Sequence, residues 1–238
     1  MTQRPVFQDL PALGRWLRAQ QAARATLVRF GIKTGMALPQ LHQALDMMLP
    51  LVQRHSRRIT RERDGYTVTA ALRYREGVRL ADAWKTGAAD SLPEKERSAL
   101  ARAEALVRDA KGALPALQAA LASAIAYECP KVGSSRYGEI VGAVCALTEG
   151  KANCQGVSDA MYLLGTMAGH EMACQAGWNA QGPHLWNLVH LPQGWYAMDV
   201  TYAVVHGGAE AVFLGENACR KREMRLESWA EAEELAAD

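Results

Sequence analysis

The 238-residue sequence predicts an α+β fold. Three observations predict it. Stretches with helical apolar spacing and helix-capping residues occupy much of the chain. Runs rich in β-branched and aromatic residues, broken by glycine turns, fall at residues 57–84 and again after residue 170. Strands and helices do not alternate regularly, as a helix-covered parallel sheet would require.

The elements follow in order. Residues 9–30 read as a helix, with Asp9 as its cap and Gly31 at its C-terminal end. A second helix is expected over 38–55, with Pro39 in its first turn and Pro50 ending or kinking it. Residues 57–84 read as two or three antiparallel strands turning at "RDG" and "REG". Their arginines (Arg57, Arg58, Arg61, Arg63) and nearby Arg54 suit an exposed strand face. Few aromatics are interleaved with them, which disfavours a nucleic-acid platform. Ser91 and Glu94 have capping-box spacing ahead of a helix to about 111, and "ALPALQAALASAIAYEC" reads as another helix. "PKVGSSRYGE" reads as loop. A helix lies between Gly150 and Gly169, and glycine-punctuated strands run on to about residue 205. The tail reads as helical, basic at "CRKREMR" and acidic at "ESWAEAEEL". Residues 1–85 are therefore expected to form a helical and β-hairpin extension packed on a core of residues 86–238.

Composition narrows the function. Hydrophobic residues make up 49% and charged residues 22%, which suits a globular core rather than disorder. The formal net charge of +2 singles out neither nucleic acid nor membrane as a partner. No apolar run approaches the roughly 20 residues of a membrane span. The first residues lack a signal peptide's basic-then-apolar order, so a cytoplasmic location is expected. The five cysteines show no CxxC and no paired histidines, so neither a zinc site nor a disulfide framework is expected, and no cofactor.

Cys154 stands apart from the other four. In "GKANCQGVSDAMYLLGTMAG" it precedes Val157, Met161, Leu164 and Ala168, which form one helical stripe. It therefore faces inward from the first turn of a helix. Backbone N–H groups there lack intrahelical acceptors and carry partial positive charge. That field stabilises a thiolate, and the same N–H groups can receive an oxyanion. A free thiol otherwise packs as a small apolar group. Cys145 and Cys174 lie in apolar company and read that way, and Cys129 and Cys219 read as structural or incidental.

A nucleophile needs a base. "HLWNLVHLPQGWYAMDVTY" reads as two strands joined at "PQG". His184, Trp186, Leu188 and His190 share a face. If Pro192 and Gln193 form the loop, Leu191 pairs with Gly194, Trp186 lies opposite Asp199, and His184 lies opposite Thr201. His184 and Asp199 are then diagonal neighbours roughly 7–8 Å apart at the backbone, a gap side chains bridge. A three-residue loop would turn Asp199 away. In the first register Asp199 fixes the imidazole tautomer and the other ring nitrogen takes the Cys154 proton. His190 lies nearer the turn and reads as surface. His42, His55, His170 and His206 show no evident partner.

The blocks "EGKANCQGVSDAMYLLGTMAGHE" and "HLWNLVHLPQGWYAMDVTYA" resemble the bacterial transglutaminase-like superfamily. The resemblance covers roughly residues 90–215. It implies a papain-like transglutaminase core, a cysteine helix packed on an antiparallel sheet, with a Cys-His-Asp triad. Cys154 is then the nucleophile, His184 the base and Asp199 its orienter. Gln155 and Trp186, beside two of them, are candidates for substrate contact. Val157 and Val144 stand where the family often has aromatic residues. The implied activity is acyl transfer on a peptide or protein amide through a thioester, with hydrolysis preferred to amine transfer. A non-catalytic peptide-binding protein is the alternative. No metal is required for these steps.

Overall fold

The first helix ends sooner than its capping residues suggest. In the computed structural model, which describes residues 4–207, 213–221 and 223–226, a short strand β1 (Val6–Phe7) precedes α1 (Leu10–Ala22). The Asp9 carboxylate caps α1 by accepting from the Ala12 N–H at 2.7 Å. Arg24 then adopts a left-handed φ of 54°, and "LVRFGIK" becomes strand β2 (Leu27–Lys33). Gly31 is thus a strand residue rather than a helix terminator, and Val6 packs over it. Helix α2 (Leu38–Met47) stops before Pro50, as a proline demands, and "VQRHSRRITRE" forms β3 (Val52–Glu62). The "RDG" turn holds: β3 pairs antiparallel with β4 (Gly65–Tyr74), from Glu62↔Gly65 to Val52↔Tyr74.

The chain divides into two compact units between Tyr74 and Arg75, short of the boundary near residue 85 expected from sequence, and Leu226 falls again with the first unit. The first unit is a four-stranded sheet in the order β1-β2-β4-β3. Phe30, Ile32 and Val68 of the sheet and Leu13, Leu17 and Leu41 of α1 and α2 are its buried core. Strand alternation leaves Arg29, Arg58 and Arg73 exposed.

The second unit opens with a correction. "REG" is not a hairpin turn but the start of α3 (Glu76–Thr86). Glu76 sits in the first turn, and Gly77 leaves no room for a Cβ against the Asp159 carbonyl. After a 3-10 turn (Ala89–Ser91) comes α4 (Glu94–Asp109), capped at Pro93. The expected Ser91 box is absent, because that hydroxyl donates to the Ala88 carbonyl at 2.7 Å. Then come α5 (Leu114–Ala124), β5 (Ala126–Tyr127), α6 (Ser135–Ile140), α7 (Ala143–Thr148) and β6 (Lys151–Ala152). Helix α6 arises inside the expected loop, where the Ser134 hydroxyl accepts from the Tyr137 N–H at 3.2 Å.

Helix α8 (Cys154–Met167) follows, then the antiparallel sheet β7 (Glu171–Asn179), β8 (Gly182–Leu191) and β9 (Gly194–Met198). The α+β class and the cysteine helix packed on an antiparallel sheet are as expected. The chain does not stay extended to 205, since α9 (Val200–His206) forms once Asp199 caps it. A last described helix is α10 (Glu216–Lys221), while "ESWAEAEEL" lies outside the described residues. Residues 156–167 of α8 are all buried. The helix is therefore central rather than one-striped. Helices α3, α4, α5 and α7 and strands β7 and β8 pack around it. Among the described residues no helix is long and apolar enough to cross a membrane.

Candidate active site

Asn153 starts α8. Its extended backbone and side-chain oxygen cap the helix, accepting from the N–H groups of Gln155 at 3.0 Å and Gly156 at 3.2 Å. Cys154 is the first helical residue, and its own N–H is outside this cap. Cys154 is partly exposed, whereas Cys145, Cys174 and Cys219 are buried. Cys129 is exposed and all five thiols are free.

The strand register sets the base. Leu191 pairs with Gly194, the two-residue loop, and the ladder continues to Asn187↔Met198. Asp199 then leaves the ladder. Its Oδ1 accepts from the Tyr202 N–H at 3.3 Å and so caps α9, while its Oδ2 accepts from His184 Nε2 at 3.0 Å. One carboxylate thereby starts a helix and holds an imidazole. The expected pairing of His184 with Thr201 does not occur, because Thr201 belongs to α9.

With Nε2 committed to Asp199, Nδ1 is left for the thiol. Burial pulls the His184 pKa down. The hydrogen bonds to Asp199 and Cys154 and the charges of both groups outweigh it and push the pKa up to about 9. The structure thus brings Cys154, His184 and Asp199 together.

The two expected substrate contacts fare differently. The Gln155 amide oxygen accepts from the Arg75 guanidinium at 3.3 and 3.4 Å, and its nitrogen donates to the Tyr137 hydroxyl at 3.0 Å. Trp186 is 4% exposed, its ring centroid 5.9 Å from that of His184. It also covers Gly177, where a Cβ would meet the indole at 2.6 Å. Trp186 therefore backs the imidazole rather than lining an open surface. His190 is exposed beside Glu171, as expected. His55 does have a partner, Asp46 at 3.0 Å, and so does His170, whose Nε2 lies 3.1 Å from the Gly112 carbonyl.

Further residues hold the constellation in place. The Ser158 hydroxyl of α8 donates to the Leu185 carbonyl of β8 at 2.8 Å, and the Asn187 amide of β8 donates back to the Ser158 carbonyl at 2.9 Å. This clamp fixes the cysteine helix against the histidine strand. Asp159 is fully buried, and its Oδ2 accepts from the N–H groups of Gly77 at 3.0 Å and Ala143 at 2.9 Å. It thereby ties α8 to the first turns of α3 and α7. Burial, partly countered by Arg75, raises its pKa to about 6.

Tyr127 also reaches the site. Strand β5 pairs in parallel with β6, setting Tyr127 opposite Ala152. Burial first, then the charges of Cys154 and Cys129, push the Tyr127 pKa up to about 12. Asn153 was readable from sequence as a capping residue type directly before the helix. Tyr127 was not, since a two-residue parallel pairing leaves no periodic signal. Among the described residues no cluster of three or more His, Cys, Asp or Glu is placed to hold a metal ion.

No family model matches the sequence, and no curated protein matches it. The structure is similar to a solved structure described as a TGase, at 13% identity and a TM-score of 0.42 over 83% of this chain and 59% of that one. It is also similar to a Cytophaga hutchinsonii protein described as a cysteine protease, at 10% identity and a TM-score of 0.37 over 66% of this chain and 68% of that one. This chain thus spans 59% of the length of the first. The case for chemistry rests on the geometry of the site itself.

Proposed function

We propose that the protein catalyses cysteine-dependent acyl transfer on a peptide or protein amide, with water as the acceptor. The observation that carries this reading is His184, held through Nε2 by Asp199 at 3.0 Å, beside a cysteine at a helix N-terminus. The Cys154 thiolate attacks the amide carbonyl, forming an S–C bond and a tetrahedral oxyanion. The oxyanion collapses, the C–N bond breaks, and protonated His184 gives its proton to the leaving amine. Neutral His184 next takes a proton from water as water attacks the thioester. The acid is released and the thiol regenerated.

Water needs no binding site of its own, whereas an amine acceptor does, and this favours hydrolysis. Gln155, adjacent to the nucleophile and fixed by Arg75 and Tyr137, is the polar group best placed to meet a bound substrate.

The test is direct. Wild-type protein and Cys154→Ala are compared on peptide, glutamine-amide and cell-wall-peptide substrates, with and without an added amine. Release of acid and ammonia or amine by wild type alone supports hydrolysis. Incorporation of the added amine makes the protein a transferase. Iodoacetamide labelling that is slow at every thiol and indifferent to His184→Ala would leave a binding protein that only shares the fold.

A further inference from the structure

We propose that the free edge of β3 receives an extended acidic peptide segment of another protein, which adds to the first sheet as a fifth strand. The surface lies in the first unit, and the proposal does not depend on the acyl-transfer reading.

The backbone makes the opening. The sheet runs β1-β2-β4-β3, so β3 is an edge strand and, among the described residues, pairs with β4 alone. It is 11 residues long, whereas β1 at the opposite edge has two. A long edge leaves a row of N–H and C=O groups without strand partners, which an extended chain can complete.

Side chains decide which chain fits. Alternation puts His55, Arg57, Ile59 and Arg61 on the core face of the sheet. There Arg57 is taken by Asp46 at 2.9 Å and by the His42 carbonyl at 3.1 Å, and Arg61 donates to the Tyr66 hydroxyl at 2.9 Å. Ser56, Arg58 and Thr60 belong to the other face and are exposed. On that face Arg58 pairs across Thr69 with Arg29, a row spanning three strands, and exposed Arg73 lies further along β4. Arg29, Arg58 and Arg73 make no ion pair with a described residue. The one carboxylate there on β2, β3 and β4 is Glu62, which accepts from the Thr67 hydroxyl at 2.8 Å.

A strand added beside β3 sets alternate side chains next to Ser56, Arg58 and Thr60 on one face and next to half-buried Ile59 on the other. A glutamate opposite Arg58 gains a cross-strand ion pair, and the apolar residues flanking it cover Ile59. Acidic and apolar residues in alternation are therefore the partner's pattern. A second copy of β3 laid antiparallel about Arg58 would set arginine against arginine, which is destabilising. Nucleic acid has no strand to complete the ladder, and that face of β2, β3 and β4 offers no aromatic ring to stack a base.

The test uses the full chain and a fluorescein-labelled peptide, Thr-Val-Glu-Val-Glu-Val-Thr, read by anisotropy at low salt. Arg58→Glu, at an exposed position, is expected to weaken binding roughly 10-fold, and Arg58→Lys to keep most of it. Alternate N–H groups of an added strand face β3. N-methylation of the valines in one peptide and of the glutamates in another should therefore abolish binding in one of the two and spare it in the other. Equal binding by both methylated peptides, or by neither, would overturn the edge pairing. So would a lysine-for-glutamate peptide that binds as well as the acidic one, or no binding up to millimolar peptide. Duplex DNA held more tightly than the peptide would make the face a polyanion surface instead. A wild type that sediments as a dimer and does not take the peptide would give the edge to a second copy. Either result would overturn the proposal.

Discussion

On the proposed mechanism His184 carries most of the chemistry, and its environment sets a pH window. Its pKa lies near 9 because the Asp199 and Cys154 interactions outweigh burial. Proton donation to a leaving amine needs the imidazolium, so amide cleavage should fall as pH rises through about 9. Asp199→Asn removes the largest raising interaction while burial remains. The alkaline limb should then move down toward or below the ordinary imidazole range near 6.5, and kcat should drop roughly 10²–10⁴-fold. A kcat/KM profile of both proteins checks this, and an unmoved limb would mean that another group sets it. The same shift affects stability. A histidine whose pKa is raised on folding stabilises the fold fully below its unfolded value, and that contribution is lost as pH rises through about 9. The meeting of Cys154, His184 and Asp199 was legible because they lie in ordered blocks and side-chain parity decides who meets whom. For Trp186, alternation gives its face but not what covers that face, here Gly177 and the imidazole.

At the scale of elements, the N-terminal half of α8 is held by groups that a periodic pattern cannot show. Asp159 looks like an ordinary polar position in a helix. In the structure it is fully buried and receives the N–H groups of Gly77 and Ala143. Its raised pKa means that the folded state binds a proton the unfolded state has released. Stability from this group is present below about 4 and lost as pH rises through about 6, by on the order of 1–3 kcal/mol. Asp159→Asn keeps an oxygen for both N–H donors, so urea unfolding measured from pH 4 to 7 should lose this slope. A retained slope would assign it to other carboxylates. Gly156 poses the complementary constraint: a Cβ there would lie 2.3 Å from the Ile140 carbonyl. Gly156→Ala should destabilise by about 1–3 kcal/mol in urea titrations. Because it shifts the turn that carries Cys154, thiol alkylation should slow as well. The misread elements share a cause. Residues 27–33 and 76–86 are short stretches of mixed apolar and charged residues whose pattern does not settle the period, and only their neighbours decide between helix and strand.

At the scale of the whole chain, the sequence placed the boundary where its hairpin-like residues ended, but the fold divides between Tyr74 and Arg75. The difference matters because α3 serves the cysteine helix. Arg75 donates to Gln155, and Gly77 donates to Asp159. Glu76 accepts from the Val144 N–H at 2.9 Å and so steadies α7. None of these groups could be weighed from sequence, since each acts on a partner more than sixty residues away. A chain beginning at Arg75 retains every described hydrogen bond made by His184, Asp199, Gln155 and Asp159. It should fold, and iodoacetamide should label Cys154 at the full-length rate. A chain beginning at residue 86 loses nearly all of α3, leaves Asp159 with one of its two N–H donors, and frees the Gln155 oxygen. It should unfold at lower urea and label Cys154 more slowly than the longer fragment. Equal labelling and equal midpoints for the two fragments would mean that α3 belongs with the first unit in function as well as in sequence pattern, and that the cysteine helix is positioned by α7 and the antiparallel sheet alone.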